Sequence, residues 1–278
     1  MFDEAATDMN AVVGTHDVIL ITLDTLRFDA AASAFAQGQL PVLRRWLPAD
    51  GFECRHTPAS FTYAAHQAFL TGFLPTPARP FARGSAHPRL LALAFAGSES
   101  TTRNTFVFSQ GANLPEAFAH LGYRTLCIGG VGFFNKQNPL GSVIPDMFQE
   151  SYWAAQFGVT ARHSTEAQVA LAIGRLQASE QRVFMLLNVS AIHQPNRHYL
   201  DDSPDAEPDD LASHKAALCY VDQALAPLFE ALGRRGPAFV ILCADHGTTY
   251  GEEGYFGHRL AHPAVMNVPY AHFVIPQA

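Results

Sequence analysis

Two apolar runs, each leading into an aspartate, constrain this chain more than anything else in it. Near the start, Val18-Ile19-Leu20-Ile21-Thr22-Leu23 leads into Asp24. Near the end, Ala238–Cys243 leads through Ala244 into Asp245-His246-Gly247, with Gly257-His258 a little beyond. Short runs rich in valine, isoleucine and leucine read as strands buried on both faces, the pattern of a parallel sheet covered by helices. In an open parallel sheet, ligands sit outside the carboxyl ends of the strands. Aspartate and histidine delivered there from both ends of the chain suggest one metal site assembled by the fold. An enzyme is the leading reading.

Strand and helix signals alternate along the rest of the sequence, as in a βαβ chain. Further strands are expected over Arg124–Ile128, closed by Gly129-Gly130, and over Val183–Val189. Helical segments are expected around Leu40–Trp46, Ala64–Leu70, Asn113–Leu121 and Thr165–Ser179. A longer helix from about Asp210 to Leu232 carries Leu218, Val221, Leu225, Leu228 and Leu232 on one face, with Gly233 and Gly236 closing it. The acidic, proline-bearing stretch Asp201–Asp210 reads as a solvated loop.

At 278 residues, 48% hydrophobic and 15% charged, the chain can bury the core of one large α/β domain or two smaller ones. A net charge of −7 argues against a nucleic-acid partner, which needs a basic face. Acidic residues Asp3, Glu4 and Asp8 stand where a secretory leader would be basic, and no apolar run approaches membrane length. Cys54, Cys127, Cys219 and Cys243 form no CxxC pair and read as free thiols in a reducing compartment. The expectation is a cytoplasmic protein without a membrane partner; the oligomeric state is left open.

Five ordered stretches resemble the sulfatase branch of the alkaline phosphatase superfamily. Asp17 to Asp29 is similar to its opening strand and first metal-binding aspartate, and Leu114 to Thr125 to its helix–Gly-Tyr–strand element. Tyr220-Val221-Asp222-Gln223 resembles the start of one of its helices, and Asp245-His246-Gly247 with Gly257-His258 its C-terminal metal loop. The stretch that should hold the nucleophile departs from the family. Sulfatases carry a Cys-x-Pro-Ser-Arg motif, its cysteine matured to formylglycine, before a helix ending Leu-Thr-Gly. Here Leu70-Thr71-Gly72 is present, but counting back nine residues from Thr71 reaches Thr62, and Cys54 lies too early.

The resemblance therefore implies an α/β fold with a mostly parallel central sheet flanked by helices, in one catalytic domain over 15–278 after an extension of 1–14. It implies Thr62 as the nucleophile, with Ser60 as the alternative if the register slips; either could instead only cap the helix. An alcohol is a poor nucleophile at neutral pH and needs a cation to stabilise its alkoxide. Asp24, Asp245 and His246, completed by Thr62, are the implied ligands of one divalent metal. That mixed set suits zinc or manganese better than magnesium or calcium. Taken alone, Asp24 reads equally well as a turn residue after its strand.

His193, in His193-Gln194-Pro195, is expected to protonate the leaving group or bind the transferred group. Binding of the anionic group is assigned to His258, His66, Asn135 and Lys136, although His66 could equally face the edge of the core. The weaker candidates are a second metal near His262, a basic rim from Arg79, Arg83, Arg89 and Arg103, and a supporting role for Glu252 or Glu253. Asp222 reads as structural. The expected activity is hydrolysis or transfer of a phosphoryl group from a small anionic ester through a phosphothreonine. The rivals are a sulfatase or phosphonate hydrolase on the same fold, and a non-catalytic scaffold.

Overall fold

The first strand, β1 (Asp17–Leu23), is buried along its whole length and lies at the centre of a seven-stranded sheet. A computed structural model describes residues 7–72, 112–200 and 207–278. The other strands are β2 (Glu53–His56), β3 (Arg124–Ile128), β4 (Glu150–Tyr152), β5 (Val183–Val189), β6 (Ala238–Cys243) and β9 (Asn267–Ile275). A separate hairpin joins β7 (Thr249–Tyr250) to β8 (Phe256–Gly257). The order in the large sheet is β2-β9-β6-β1-β5-β3-β4. All its direct pairings are parallel except those of β9, which runs antiparallel to both β6 and β2.

Alternation along β1 divides the core in two. Ile19, Ile21 and Leu23 face one layer, against α1 (Phe28–Ala36), α4 (Ser164–Gln177) and α5 (Leu211–Arg235). Val18 and Leu20 face the other, against α2 (Thr62–Thr71) and α3 (Leu114–His120). Thr22 continues that second row, so its hydroxyl points at α2. In this layer Phe118 stacks on Phe184 with ring centroids 4.5 Å apart.

The expected strands and all but one of the expected helices are present, with shifted ends in several places. The Leu40–Trp46 segment contributes only a short 3-10 turn, Leu43–Arg45. Its amides are held by Asp222, whose carboxylate accepts from Val42 N at 3.1 Å and Leu43 N at 2.8 Å, so this buried acid is structural. Helix α5 passes through Pro227 and Gly233 to Arg235. Pro227 faces solvent, where water can satisfy the carbonyl its missing N–H leaves free. Gly236, at φ 150°, ends the helix. Edge strands β2, β4 and the long β9 are additions to the sequence expectation. The basic candidates Arg79, Arg83, Arg89 and Arg103 lie outside the described residues. Among the described residues no helix is long and apolar enough to cross a membrane.

Candidate metal centre

Because β1 lies between β5 and β6, the loops leaving three adjacent strands open at one carboxyl edge. Asp24 follows β1, Asp245 and His246 follow β6, and His193 follows β5. Each strand is fixed by its pairing register, Thr22 opposite both Asn188 and Cys243. Thr25 then adopts φ 63°, a costly left-handed conformation for a β-branched residue. It turns its N–H to Asp245 Oδ1 at 3.3 Å, which ties the two acidic loops together.

Asp24, Asp245 and His246 are all fully buried, and one ligand atom from each lies within 4.8 Å of the others. Asp24 Oδ2 accepts from Asn188 Nδ2 and the Thr62 hydroxyl, each at 3.3 Å. Asp245 Oδ1 accepts from the backbone amides of Thr25 and His246. The other oxygens, Asp24 Oδ1 and Asp245 Oδ2, are buried without a hydrogen-bond partner. They lie 3.8 and 3.7 Å from His246 Nε2. The His246 Nδ1–H donates to the Gly247 carbonyl at 2.9 Å, which leaves the Nε2 lone pair facing the carboxylates.

Burial, with the charge of Asp245 beside it, pushes Asp24 up to about 7, and burial pushes Asp245 up to about 7. Burial also lowers His246. Two buried carboxylates sharing one pocket cannot both ionise cheaply without a cation between them. Orphaned oxygens, a fixed imidazole tautomer and this electrostatic frustration all fit a divalent ion. Two carboxylates and one imidazole are a donor set suited to zinc or manganese.

Thr62 is the first residue of α2. Its hydroxyl lies 3.3 Å from His246 Nε2 as well as from Asp24 Oδ2. It makes no capping bond; Phe61 is the N-cap and its side chain makes none either. Ser60 takes part through its carbonyl, which accepts from Arg259 N at 2.9 Å. Cys54 sits exposed on β2.

The histidines divide into two groups. The His258 ring stands 4.6 Å from that of His246 and 5.5 Å from that of half-buried His193, so all three face one space. Burial, with His246 next, pushes His258 down to about 2. His66 lies beneath the site, wholly buried between Phe69 and Phe134. Its Nδ1 is 2.8 Å from the Thr62 carbonyl and its Nε2 2.9 Å from the Thr22 hydroxyl, so it braces the first turn of α2 from below. His262 caps the short helix Pro263–Met266 through Ala264 N.

Asn135 and Lys136 are turned elsewhere. Asn135 Oδ1 accepts from Gln137 N, and Lys136, exposed, donates to Ser151 Oγ at 2.9 Å. Neither contacts the carboxylate cluster among the contacts of the described residues. Sequence reasoning passed over Asn188, whose amide holds Asp24 with Nδ2 while its Oδ1 accepts from Gly130 N and Val131 N. A lone amide inside the apolar run Val183–Val189 was the available signal.

Comparison with known proteins agrees with this architecture. The family model described as Sulfatase matches residues 16–270. No curated protein matches the chain. The C-terminal periplasmic domain of phosphoethanolamine transferase EptC from Campylobacter jejuni superposes with TM-score 0.63 at 12% identity, over 94% of this chain and 80% of that one. The corresponding EptC domain from Escherichia coli, in complex with Zn, gives TM-score 0.60 at 12% identity, over 95% and 74%. A protein in the alkaline phosphatase superfamily from Vibrio parahaemolyticus gives TM-score 0.57 at 15% identity, over 96% and 61%. With the family model covering nearly all of its length, the chain belongs to the sulfatase family, and by that membership is an enzyme acting on phosphate or sulfate esters.

Proposed function

We propose that the protein transfers a phosphoryl group from an organic phosphate ester to water or another acceptor through a phosphothreonine on Thr62. One observation carries the reading: a threonine hydroxyl, at the start of a helix, lies 3.3 Å from both Asp24 Oδ2 and His246 Nε2, where two orphaned carboxylate oxygens converge. A divalent ion held by Asp24, Asp245 and His246 would supply the charge that stabilises the threonine alkoxide and the phosphoryl oxygens. The family match and the Zn-bound relative support such an ion.

Thr62, its hydroxyl proton given up to solvent water, attacks phosphorus in line as the alkoxide, and the bond to the departing ester oxygen breaks. His193 protonates the departing oxygen, and His258 holds a non-bridging oxygen on the same side. Arg259, which follows His258 and lies over the Phe61 ring at 5.0 Å, adds positive charge at the rim for an anionic substrate. Water, or the alcohol of an acceptor, then displaces Thr62. Sulfate esters are second choice, because the position a formylglycine would occupy holds a threonine that cannot become one.

Phosphomonoesters, phosphodiesters and sulfate esters assayed with Mn²⁺ or Zn²⁺ test this reading. Phosphorus substrates are expected to lead, Thr62→Ala to lower kcat by about a thousandfold or more, and quenched enzyme to carry phosphate on Thr62. Sulfate preferred by orders of magnitude, or undiminished turnover by Thr62→Ala, would overturn it.

A further inference from the structure

His193 sits on the loop after β5, and what holds that loop lies outside the metal cluster. Asn196, wholly buried, closes it by donating Nδ2 to the Ile192 carbonyl at 2.8 Å, one residue before His193. The same Nδ2 lies 3.0 Å from the hydroxyl oxygen of Tyr250. Asn196 Oδ1 accepts from the Ser213 hydroxyl at 2.5 Å, and Asn196 N donates to Asp209. On the other side of Tyr250, His214 Nδ1 lies 2.9 Å from the phenol oxygen. Buried His214 receives the Arg27 backbone N–H at Nε2, at 3.3 Å. A backbone N–H only donates, so Nε2 is the acceptor, and the Nδ1–H of the neutral ring donates to Tyr250.

One phenol oxygen therefore accepts two N–H groups from two different elements. The resulting chain runs Ile192 carbonyl, Asn196, Tyr250, His214, Arg27 backbone, spanning from the residue before His193 to the third residue after Asp24. Glu252 reinforces it, accepting from Tyr250 N at 2.6 Å and pairing with the Arg27 guanidinium, which also meets Asp29. Beyond Tyr250 the hairpin returns through β8 to His258.

We propose that Tyr250 is a positioning residue for His193: its hydroxyl sets the distance between the proton donor and the metal face by joining the loops after β1, β5 and β6. The inference rests on the reading of His193 as the acid that protonates the leaving group. Replacing Tyr250 by phenylalanine removes one oxygen and leaves two donors, His214 Nδ1–H and one Asn196 N–H, without their acceptor. The His193 loop is then free to drift relative to Asp24.

A misplaced acid penalises poor leaving groups and spares good ones, whereas a general structural defect penalises both. The experiment measures kcat and KM of metal-loaded wild type, Tyr250→Phe, Asn196→Asp and His193→Ala on a series of esters from p-nitrophenyl to alkyl phosphate. Tyr250→Phe is expected to lose about tenfold or more in kcat on the alkyl ester. It is expected to lose no more than about threefold on the p-nitrophenyl ester, with little change in KM. His193→Ala should show the same pattern more steeply. Asn196→Asp, which removes the donation to Ile192 without changing shape, should share it and serves if Tyr250→Phe is poorly folded. Equal losses on all esters, or none, in both Tyr250→Phe and Asn196→Asp while His193→Ala discriminates would overturn the positioning role alone. If His193→Ala is itself indifferent to the leaving group, the acid assignment falls and the positioning role falls with it.

Discussion

Gly247 shows how one residue can fix the ligand loop. A Cβ at this position would stand 2.0 Å from the Ala264 carbonyl oxygen, and Gly247 N donates to Val265 O at 2.8 Å. The loop carrying Asp245 and His246 is thus pressed against the backbone of the next helix. Gly247→Ala is expected to cost about 3 kcal/mol of stability and to reduce bound metal; a urea melt and elemental analysis of the purified variant check both. At this scale the sequence was informative where residues follow strands directly. Asp24, Asp245 and His246 stand within three residues of strand ends, and a buried parallel strand leaves little choice about where such residues emerge. Thr62 was singled out by the sulfatase motif spacing, counted back from Leu70-Thr71-Gly72, and it lies at the first position of α2. Asn135 and Lys136 could not: they follow a loop, and spacing along a loop carries no direction. His66 was ambiguous for another reason. Helical spacing places it one turn from Thr62, yet only the alternation of β1, which aims Thr22 at the same face, shows that the imidazole is held inside.

Among the secondary-structure elements, the amino end of the sheet is tied together by a single carboxylate. Asp17, fully buried, accepts from Val183 N at 2.8 Å with one oxygen and from Arg235 Nε at 2.8 Å with the other, joining β1, β5 and the end of α5. Removing it leaves a strand amide without its acceptor and a largely buried guanidinium without its counter-charge, held only by the carbonyls of Leu176, Ser179 and Gln181. Asp17→Ala is expected to cost about 3 kcal/mol, read from denaturant midpoints. Asp17→Asn should recover part of that, and neither should alter kcat per folded molecule, since the carboxylate lies at the opposite end of β1 from Asp24. The elements that sequence reasoning found are those with long apolar or helical patterns. It passed over β2, with its largely exposed residues, and β4, only three residues long, because short edge strands lack the periodicity that identifies a strand. It also passed over β9, whose burial alternates irregularly and which includes Pro269.

For the molecule as a whole, the metal centre links stability to pH. In the metal-free protein, Asp24 and Asp245 hold their protons up to about pH 7, whereas in the unfolded chain aspartates lose theirs near pH 4. The unfolded state therefore gives up protons first as pH rises, so metal-free stability is expected to decline from about pH 4 to about pH 7. A bound cation reverses this, because protons compete with it less as pH rises through the same window. Melting temperatures with a chelator and with Mn²⁺ or Zn²⁺ should thus diverge between about pH 5 and pH 7.5. Parallel curves would mean that the two carboxylates do not share an ion. The sheet order has a further effect, on biosynthesis. Within the sheet, the central strand β1 is made well before its neighbours β5 and β6. A ribosome therefore extrudes this apolar strand long before either neighbour exists to pair with it, so a nascent polypeptide that stops short of β5 would leave the edges of β1 bare.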